Sequence, residues 1–600
     1  MRTAVAQSLA ALVALVDLVP TTHAQITPQQ IYQPPPASSG AVSQQQSNLT
    51  NGVNPQYTDL LGNALWFYEA QRSGALPSNN RVSWRNSSCE NDGSLNNTDL
   101  SGGYYDAGDY IKATYPFCWT MTSIAWSALS FGSAYSRSSQ DAYLDSTLRW
   151  GLDWLSKAHS DQDTLWVLVG NPAVDDQYWG GDLDIPGPRS SYSVTRQNPG
   201  TDAFASCAAA FAASAYLYSG ESGLLPTSPN GANLGGVPSI RNRTYSEALL
   251  RHADGLWDLA INSSPRQVYS VAQPVAGQSY PSSDYEDDLA FAGLWMALAK
   301  GDASYVNEAL TFYPNGTNGF ASTNAALNWD RKVAALPVLA VQMAQRNTSL
   351  IPNMTRFQTD AELYFDRLTD GKMQYVSQTK GGLYWWSGDS DAASLNPALN
   401  AAFIADLYSN FATTSAKTSA YRSLADSQVD YLLGDNSYNG PYIVGQHPNS
   451  PQNPHSAMAS GGTDITNINN SPPKELHVLY GAVVGGPDKQ DRFFDLRDDY
   501  PETEIALDYN APLIAAAVSR IARNVTKDPP YTTSSGSANV ASGRPTDAAY
   551  PAGKSGGLSK GAQIAIAVVV VVVVLAAVGG VSWWQRERLK WWYRQKKMGL

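Results

Sequence analysis

The sequence predicts an all-helical domain, and three observations favour this fold class. Several segments place apolar residues at the spacing of a helix face. The clearest are Leu249, Ala253, Leu256 and Ala260; Leu336, Leu339 or Ala340, and Met343; and the Ala-rich run at 204–218. Long segments that alternate apolar and polar residues, as half-buried strands do, are scarce. Loops rich in Gly, Pro, Asn and Asp separate the helical segments, so we expect helices joined by large functional loops.

The composition describes one large globular domain over residues 51–525. The chain has 600 residues, of which 43% are hydrophobic and only 15% charged, and it contains 17 Trp and 33 Tyr. This balance suits a flat neutral ligand. The net charge of −12 disfavours nucleic acid as a partner. Nothing in the sequence indicates the oligomeric state.

The N-terminus has the pattern of an export signal over residues 1–24. Arg2 precedes an apolar stretch from Leu9 to Val19, and small residues end at Ala24. Residues 25–50 are rich in Gln, Pro and Ser, which predicts an unstructured lead-in.

The C-terminus predicts a membrane anchor. Residues 526–560 have the composition of a flexible stalk, and residues 561–584 include seven consecutive valines, typical of a helix that crosses the roughly 30 Å hydrocarbon layer. The tail at 585–600 carries six Lys/Arg against one Glu, which places it in the cytosol. We therefore expect a single-pass type I protein of the cell membrane, with its body outside the cell or in the secretory lumen.

Ten Asn-x-Ser/Thr sites precede the predicted membrane helix, and we expect at least half of them to carry glycans. They are Asn48, Asn86, Asn96, Asn242, Asn262, Asn315, Asn347, Asn353, Asn469 and Asn524. The three cysteines, Cys89, Cys118 and Cys207, allow one disulfide, whose pairing the sequence leaves open.

Two segments nearly four hundred residues apart combine carboxylates with aromatic residues. They are YYDAGDYIK at 104–112 and FFDLRDDYPETEIALDYNAP at 493–512. A glycosidase needs one carboxyl group to protonate the leaving oxygen and another to activate water or attack the sugar. The two segments can supply one each.

Within the first segment, Asp106 and Asp109 flank Ala-Gly, which indicates a tight turn that directs both carboxylates at one water. The alternative is that one of them caps a helix beginning near Tyr110. Within the second, Glu504 lies between Ile505 and a turn, and apolar surroundings raise a carboxyl pKa. Spacing alone does not separate Glu504 from the neighbouring acids Asp495, Asp498, Asp499 and Glu502.

Both segments resemble the catalytic regions of glycoside hydrolase family 9, whose members are mostly inverting cellulases on an (α/α)₆ barrel. Residues 99–120 look like the Asp-Ala-Gly-Asp loop of that family. The second segment fits the family pattern through Phe493, Asp495, Tyr500, Glu504, Ala506, Asn510 and Ala511. Weaker similarities follow in the order of the family: RVSWRNSS at 81–88, NPGTD at 198–202, SSDYEDDLAFAGLWM at 282–296, NWDRK at 328–332, LYWW at 383–386, YLLGDN at 431–436 and VVGGPD at 483–488.

The resemblance implies an (α/α)₆ barrel and a division of labour among three carboxyls. Asp109 is similar in position to the catalytic base, Asp106 to the residue that helps it hold the water, and Glu504 to the general acid. Some members bind calcium or zinc, but no clear metal motif is present here. We expect no cofactor and leave a structural calcium ion open.

The resemblance also implies substrate contacts. Arg497 would position sugar hydroxyls, Asp499 would position the acid, and Tyr500 would lie near the sugar ring. His455 matches a ligand-contacting histidine. Trp385 and Trp386 are candidate stacking platforms, although tryptophan in a large domain more often belongs to the core.

One loop departs from the family. In NPHSAM at 453–458, Ser456 and Ala457 stand where a second histidine and a sugar-binding arginine are common. The expected function is a membrane-anchored, inverting endo-β-1,4-glucanase acting on cellulose-like β-glucan. The alternatives are a glycan-binding or wall-organising surface protein with weak catalysis, and a hydrolase of another β-linked wall polymer.

Overall fold

The computed structural model describes residues 26–28, 31–36, 53–221, 223–225, 234–314 and 326–544. The predicted signal, membrane helix and basic tail lie outside the described residues, as do Asn48 and Asn315. In the described ranges, no helix is both long enough and apolar enough to span a membrane.

Helices dominate the described chain. They are α1 (Pro55–Ala70), α2 (Thr114–Phe131), α3 (Ser133–Arg137), α4 (Asp141–Ala158), α5 (Pro172–Asp175), α6 (Thr201–Ser219), α7 (Arg243–Asn262), α8 (Tyr269–Ala272), α9 (Glu286–Lys300), α10 (Ala303–Phe312), α11 (Ala335–Arg346), α12 (Met354–Thr369), α13 (Leu395–Tyr408), α14 (Ser415–Leu432), α15 (Ala457–Ser460), α16 (Tyr500–Thr503) and α17 (Leu507–Ala522). The predicted helical class is therefore confirmed for this part of the chain.

Six of these helices form a closed inner ring. Following the ring, α2 contacts α6, then α9, α11, α13 and α17, and α17 returns to α2. Helices α4, α7, α10, α12 and α14 pack outside their neighbours in the ring, and α1 packs on α17. The inner helices are buried around their whole circumference, as all fourteen residues of α13 show. This arrangement is an α/α barrel.

The N-terminal ends of the inner helices meet at one end of the ring. Tyr115 of α2 donates a hydrogen bond to Asp288 of α9 (2.7 Å), and Lys332, just before α11, forms an ion pair with the same carboxylate (2.7 Å). Asn396 of α13 donates to Asp508 of α17 (2.5 Å). The long loops that enter these helices therefore gather on one face.

Two small sheets stiffen the loops. Strands β1 (Lys112–Ala113), β2 (Thr164–Val169) and β3 (Ser191–Thr195) form an antiparallel sheet, and β4 (Val376–Gln378) pairs with β5 (Tyr384–Trp386). In register, Ala113 faces Leu168 and Leu165 faces Val194. The first sheet fixes the chain that follows the Asp-Ala-Gly-Asp loop.

A disulfide joins Cys118 of α2 to Cys207 of α6, with their Cα atoms 5.1 Å apart. This pairing answers the question that the sequence leaves open. Cys89 is a half-buried free thiol.

The domain extends beyond the boundaries expected from composition. Tyr32, inside the predicted lead-in, is buried, and its hydroxyl donates to Asn63 Oδ1 (2.6 Å). At the other end, residues 526–544, here called the C-terminal strap, pack on the barrel. The Tyr531 side chain is fully buried, and its N–H donates to the Leu433 carbonyl (2.8 Å). The folded domain therefore reaches at least Arg544.

Candidate active site

The loop that carries Asp106 and Asp109 is fixed by hydrogen bonds to its own backbone and to α1. The Asp106 N–H donates to the Ile111 carbonyl (2.9 Å), and the Gln71 side chain donates to the Ala107 carbonyl (2.7 Å). No described helix begins near Tyr110, because α2 starts four residues later and has no side-chain cap. The capping alternative for these aspartates is therefore wrong.

Gly108 is the point at which three loops converge. A Cβ atom at this position would lie 2.2 Å from the His455 carbonyl oxygen, so only glycine permits the approach. The Gly108 carbonyl accepts a hydrogen bond from Ala457 N–H (2.8 Å), and its own N–H donates to Glu504 Oε1 (3.4 Å).

The second acidic segment reaches the same place through α16 and the extended residue that follows it. The His455 N–H donates to the Thr503 carbonyl (2.9 Å), and His455 forms a parallel β-bridge with Glu504. The Leu507 N–H donates to the Asp106 carbonyl (3.0 Å). The fold thus brings Asp106, Asp109 and Glu504 together.

The acids near Glu504 have other partners. Asp495 accepts hydrogen bonds from the backbone of residues 452 and 453, and Glu502 accepts one from Phe494 N–H (2.8 Å). Asp498 forms an ion pair with Arg544 (2.9 Å). Of these acids, Glu504 is the one that contacts the Asp-Ala-Gly-Asp loop, which spacing alone did not reveal.

The surroundings of Glu504 suit a proton donor. Burial raises the pKa of its carboxyl to about 7, and the nearby charge of Asp176 adds to this effect. The Gly108 N–H opposes the shift, because it stabilises the ionised form. Glu504 therefore retains a substantial protonated fraction near neutral pH.

The pKa values of Asp106 and Asp109 are both well above the usual aspartate range. Burial is the main cause for each; Asp175 and Glu504 add to it for Asp109. The Tyr280 hydroxyl donates a hydrogen bond to Asp106 Oδ2 and so opposes the shift at that carboxyl. The site therefore holds several buried carboxyl groups whose negative charges raise one another's pKa values.

Sequence reasoning missed three residues of this cluster. Tyr280 has no distinguishing pattern in the sequence. Asp175 accepts a hydrogen bond from Tyr110 N–H (2.8 Å) and lies beside Asp109, and Asp176 is its exposed neighbour. Asp175 ends α5 and Asp176 follows it, and these two adjacent acids were the available signal in the sequence.

Residues 57–517 match the family described as "Glycosyl hydrolase family 9". The chain belongs to this family. It is 33% identical over 464 residues to Endoglucanase A of Bacillus pumilus, which covers 76% of this chain and 64% of that relative. It is 30% identical over 515 residues to an endoglucanase of Phaseolus vulgaris, which covers 81% of this chain and 96% of that relative. The chain thus spans less than two thirds of the bacterial relative and nearly all of the plant one.

The solved structure of the endoglucanase from the termite Nasutitermes takasagoensis is similar in fold. The TM-score is 0.67 at 33% identity, and the match covers 78% of this chain and 99% of the termite chain. The α/α barrel of this family 9 member therefore agrees with that of a structural relative.

Two of the residues that the family resemblance predicts for substrate contact lie where the loops converge. His455 is half-buried, with its ring 4.9 Å from that of Trp179 and 6.4 Å from that of Tyr500. Its Nδ1 is paired with the Arg497 carbonyl (2.5 Å), and burial lowers the pKa of the imidazole. Tyr500 is 42% exposed. Both side chains are partly accessible to solvent, and their contact with a ligand stays a prediction.

Four other predicted contact residues are buried in this family 9 domain. Arg497 pairs with Glu475 and donates to the Ile468 carbonyl (2.7 Å). Asp499 directly precedes α16 and is 1% exposed. Trp385 is 3% exposed and Trp386 is fully buried. Neither ring presents a face to solvent, so the structure gives the stacking prediction no support.

The two replaced positions of the histidine loop face inward. The Ser456 hydroxyl caps α15 by accepting from Ala459 N–H (3.4 Å), and Ala457 is buried against Gly108. Over the described ranges, no group of three or more His, Cys, Asp or Glu side chains is arranged to hold a metal ion.

Proposed function

We propose that the protein is an endo-β-1,4-glucanase that cleaves internal bonds of cellulose-like glucans with inversion. The observation that carries the proposal is the convergence of Asp106, Asp109 and Glu504 at Gly108, from segments nearly four hundred residues apart. Membership of glycosyl hydrolase family 9 and the endoglucanase names of the relatives support it.

In the proposed reaction, Glu504 gives its proton to the glycosidic oxygen as the bond from that oxygen to the anomeric carbon breaks. Water attacks the opposite face of the sugar and passes a proton to Asp109, while Asp106, hydrogen-bonded by Tyr280, helps to hold the water. Inversion requires the acid and the base to stand about 6.5–9.5 Å apart, so that water fits between sugar and base. The pKa of about 7 at Glu504 leaves a substantial fraction of the acid protonated at neutral pH.

Early-product stereochemistry tests this mechanism. Time-resolved NMR of a β-1,4-glucan digested by the 25–553 fragment should show the α-anomer first. Initial formation of the β-anomer would instead require a retaining mechanism.

A panel of β-linked polymers tests the substrate. We expect release of reducing ends from β-1,4-glucans. Release only from another β-linked wall polymer would change the substrate assignment. Binding of glucan without release of reducing ends would favour the surface-binding alternative, in which the loss of the family arginine at 457 has weakened catalysis.

We further propose that the body is exported, glycosylated and anchored by residues 561–584. The sequence features at both termini support this topology, and all eight described sequon asparagines are exposed or half-buried. Removal of N-glycans should increase the electrophoretic mobility of the full chain. Proteolysis of intact cells should release the body while leaving the C-terminal tail protected.

A further inference from the structure

The C-terminal strap runs along the barrel and ends beside the loop that carries Glu504. The Asn539 N–H donates to the Tyr438 carbonyl (2.8 Å), and the Ala541 N–H donates to the Phe493 carbonyl (2.8 Å). Phe493 opens the second acidic segment. The strap is therefore joined by backbone hydrogen bonds to the segment that supplies the general acid.

Arg544 extends this connection with charge. Its guanidinium lies 2.9 Å from Asp498 Oδ1 and 3.6 Å from Asp499 Oδ2. The Arg544 side chain is 14% exposed, that of Asp498 is 35% exposed and that of Asp499 is fully buried, so the pair with Asp499 is the one shielded from solvent. Ion pairs in such surroundings are screened less than surface pairs, and removing one partner leaves an uncompensated buried charge.

The Asp499 carboxylate depends on Arg544 for compensation of its charge. Both of its carboxylate oxygens are buried without a hydrogen-bond donor among the described residues. Burial raises the pKa of Asp499 to about 6, and Arg544 opposes that shift. The Asp499 carbonyl accepts hydrogen bonds from Glu502 and Thr503 N–H (2.9 Å each). These bonds begin the short helix α16, which ends at Thr503, directly before Glu504.

We propose that Arg544 is a positioning residue for the general acid, and that residues 539–544 of the strap are a working part of the catalytic unit. By holding Asp498 and Asp499, Arg544 fixes the start of α16 and so the backbone from which Glu504 projects. This inference rests on the proposed function, and it concerns a segment beyond residues 57–517, which match the family.

The test compares Arg544→Gln with Lys527→Gln in the full chain. Lys527 belongs to the same strap and forms an ion pair with Asp430 (3.2 Å), but its side chain is 76% exposed. Among the described residues, no hydrogen bond or ion pair joins that side chain to residues 493–504. We expect Arg544→Gln to lower kcat about tenfold with KM within about twofold, because a small displacement of a catalytic group costs rate more than binding. Lys527→Gln should stay within about twofold of the parent, and Arg544→Lys should restore most of the lost kcat.

Hydrogen exchange gives a second readout that does not depend on activity. The N–H groups of residues 502–504, which are hydrogen-bonded in α16 and its end, should exchange at least about tenfold faster in Arg544→Gln but not in Lys527→Gln. If Arg544→Gln does not fold, Asp498→Asn removes the shorter of the two ion pairs and takes its place.

The outcomes separate the two proposals. If the parent protein hydrolyses no glucan, the proposed function fails and the exchange rates alone decide the role of Arg544. If Arg544→Gln matches Lys527→Gln in kcat and in exchange, or if Arg544→Lys is as impaired as Arg544→Gln, the positioning role is overturned.

Discussion

At the scale of single residues, the Glu504 carboxyl supplies the acid proton and also makes the stability of the fold depend on pH. One substitution tests both effects. Glu504→Gln removes the acid proton, so hydrolysis should fall by at least about 10³-fold, while the amide avoids placing a charge in a buried site. Because folding raises the pKa of Glu504 to about 7, this group favours the folded state at low pH and loses that effect as pH rises. Because Glu504→Gln removes the titrating carboxyl, the Tm of the variant should exceed that of the parent by more at pH 8 than at pH 5.

A matched control lies two residues away. Glu502 is also buried, and burial raises its pKa to about 9, but it contacts the backbone of Phe494 and not the cleft. Glu502→Gln should keep most of the activity. Equal losses in the two variants, measured as reducing ends released at pH 6, would contradict the assignment of the acid.

Tyr280 permits a test on the water-binding side. Tyr280→Phe removes a hydrogen bond that stabilises ionised Asp106, so the pKa of Asp106 should rise further above its usual range. We expect kcat to fall about tenfold or more and the acidic limb of its pH profile to move to higher pH. Tyr421→Phe is the control, since that hydroxyl donates to Asp366 (2.6 Å) between outer helices. A profile unchanged in shape would show that Tyr280 does not act through Asp106.

The chemical roles of these residues could be predicted from the sequence better than their positions in the fold. Aromatic and acidic composition indicated a divided site, and the family pattern separated Glu504 from its neighbours. Tyr280 and Asp175 stayed hidden because their roles depend on contacts across the fold. Trp385 and Trp386 show the converse, since a tryptophan suited to stacking looks the same in sequence as one that belongs to the core.

At the scale of elements, Gly108 sets how closely the loops approach. Gly108→Ala would place a Cβ against the His455 carbonyl, a backbone atom that cannot move without shifting its loop. We expect at least about a tenfold loss of kcat and a lower Tm. Gly181→Ala is the control, because a Cβ there meets open space. Gly108→Ala with parental kcat would show that the loops accommodate the methyl group without disturbing the acid.

The disulfide between α2 and α6 is a second feature at the scale of elements. The Cys118–Cys207 bridge closes a separation of 89 residues, and removing it with alanine at both positions should destabilise the domain by about 4 kcal/mol. Reducing agent should lower the Tm of the parent and of Cys89→Ser, and leave the double variant unchanged. A reductant-insensitive parent would mean that the two thiols are not bonded.

At the scale of the whole molecule, local pattern predicted helices but not their closure. Helical spacing and scarce alternation were sufficient for the class, and the six-fold ring came only through the family resemblance. Composition placed the end of the domain at 525, because Ser, Gly, Pro and Thr resemble a linker. The buried Tyr531 side chain and the ion pair of Arg544 with Asp498 instead show that the folded domain continues beyond residue 525.

The export and anchoring of the body stay predictions. The strap determines where a soluble fragment of the body should end. A soluble fragment that ends at 525 should be less active than one that ends at 553, because it lacks the backbone bonds to Phe493 and the ion pairs of Arg544. Side-by-side kcat measurements on the two fragments would check this expectation, and equal values would show that the strap is dispensable.

We expect the carboxylate cluster at the convergence of the loops to discriminate between polymers by their charge. Asp106, Asp109, Asp175, Asp176 and Glu504 stand close enough to shift one another's pKa values. Because burial raises the pKa values of these carboxyls, the negative charge of the cluster grows as pH rises. The field of that charge repels polyanions and falls off within about 10 Å at 0.1 M salt. Carboxymethylated or uronic-acid chains should therefore be poorer substrates than neutral glucans, and the gap should narrow as salt is added. On this expectation, a polymer is selected by its charge before any sugar hydroxyl is recognised.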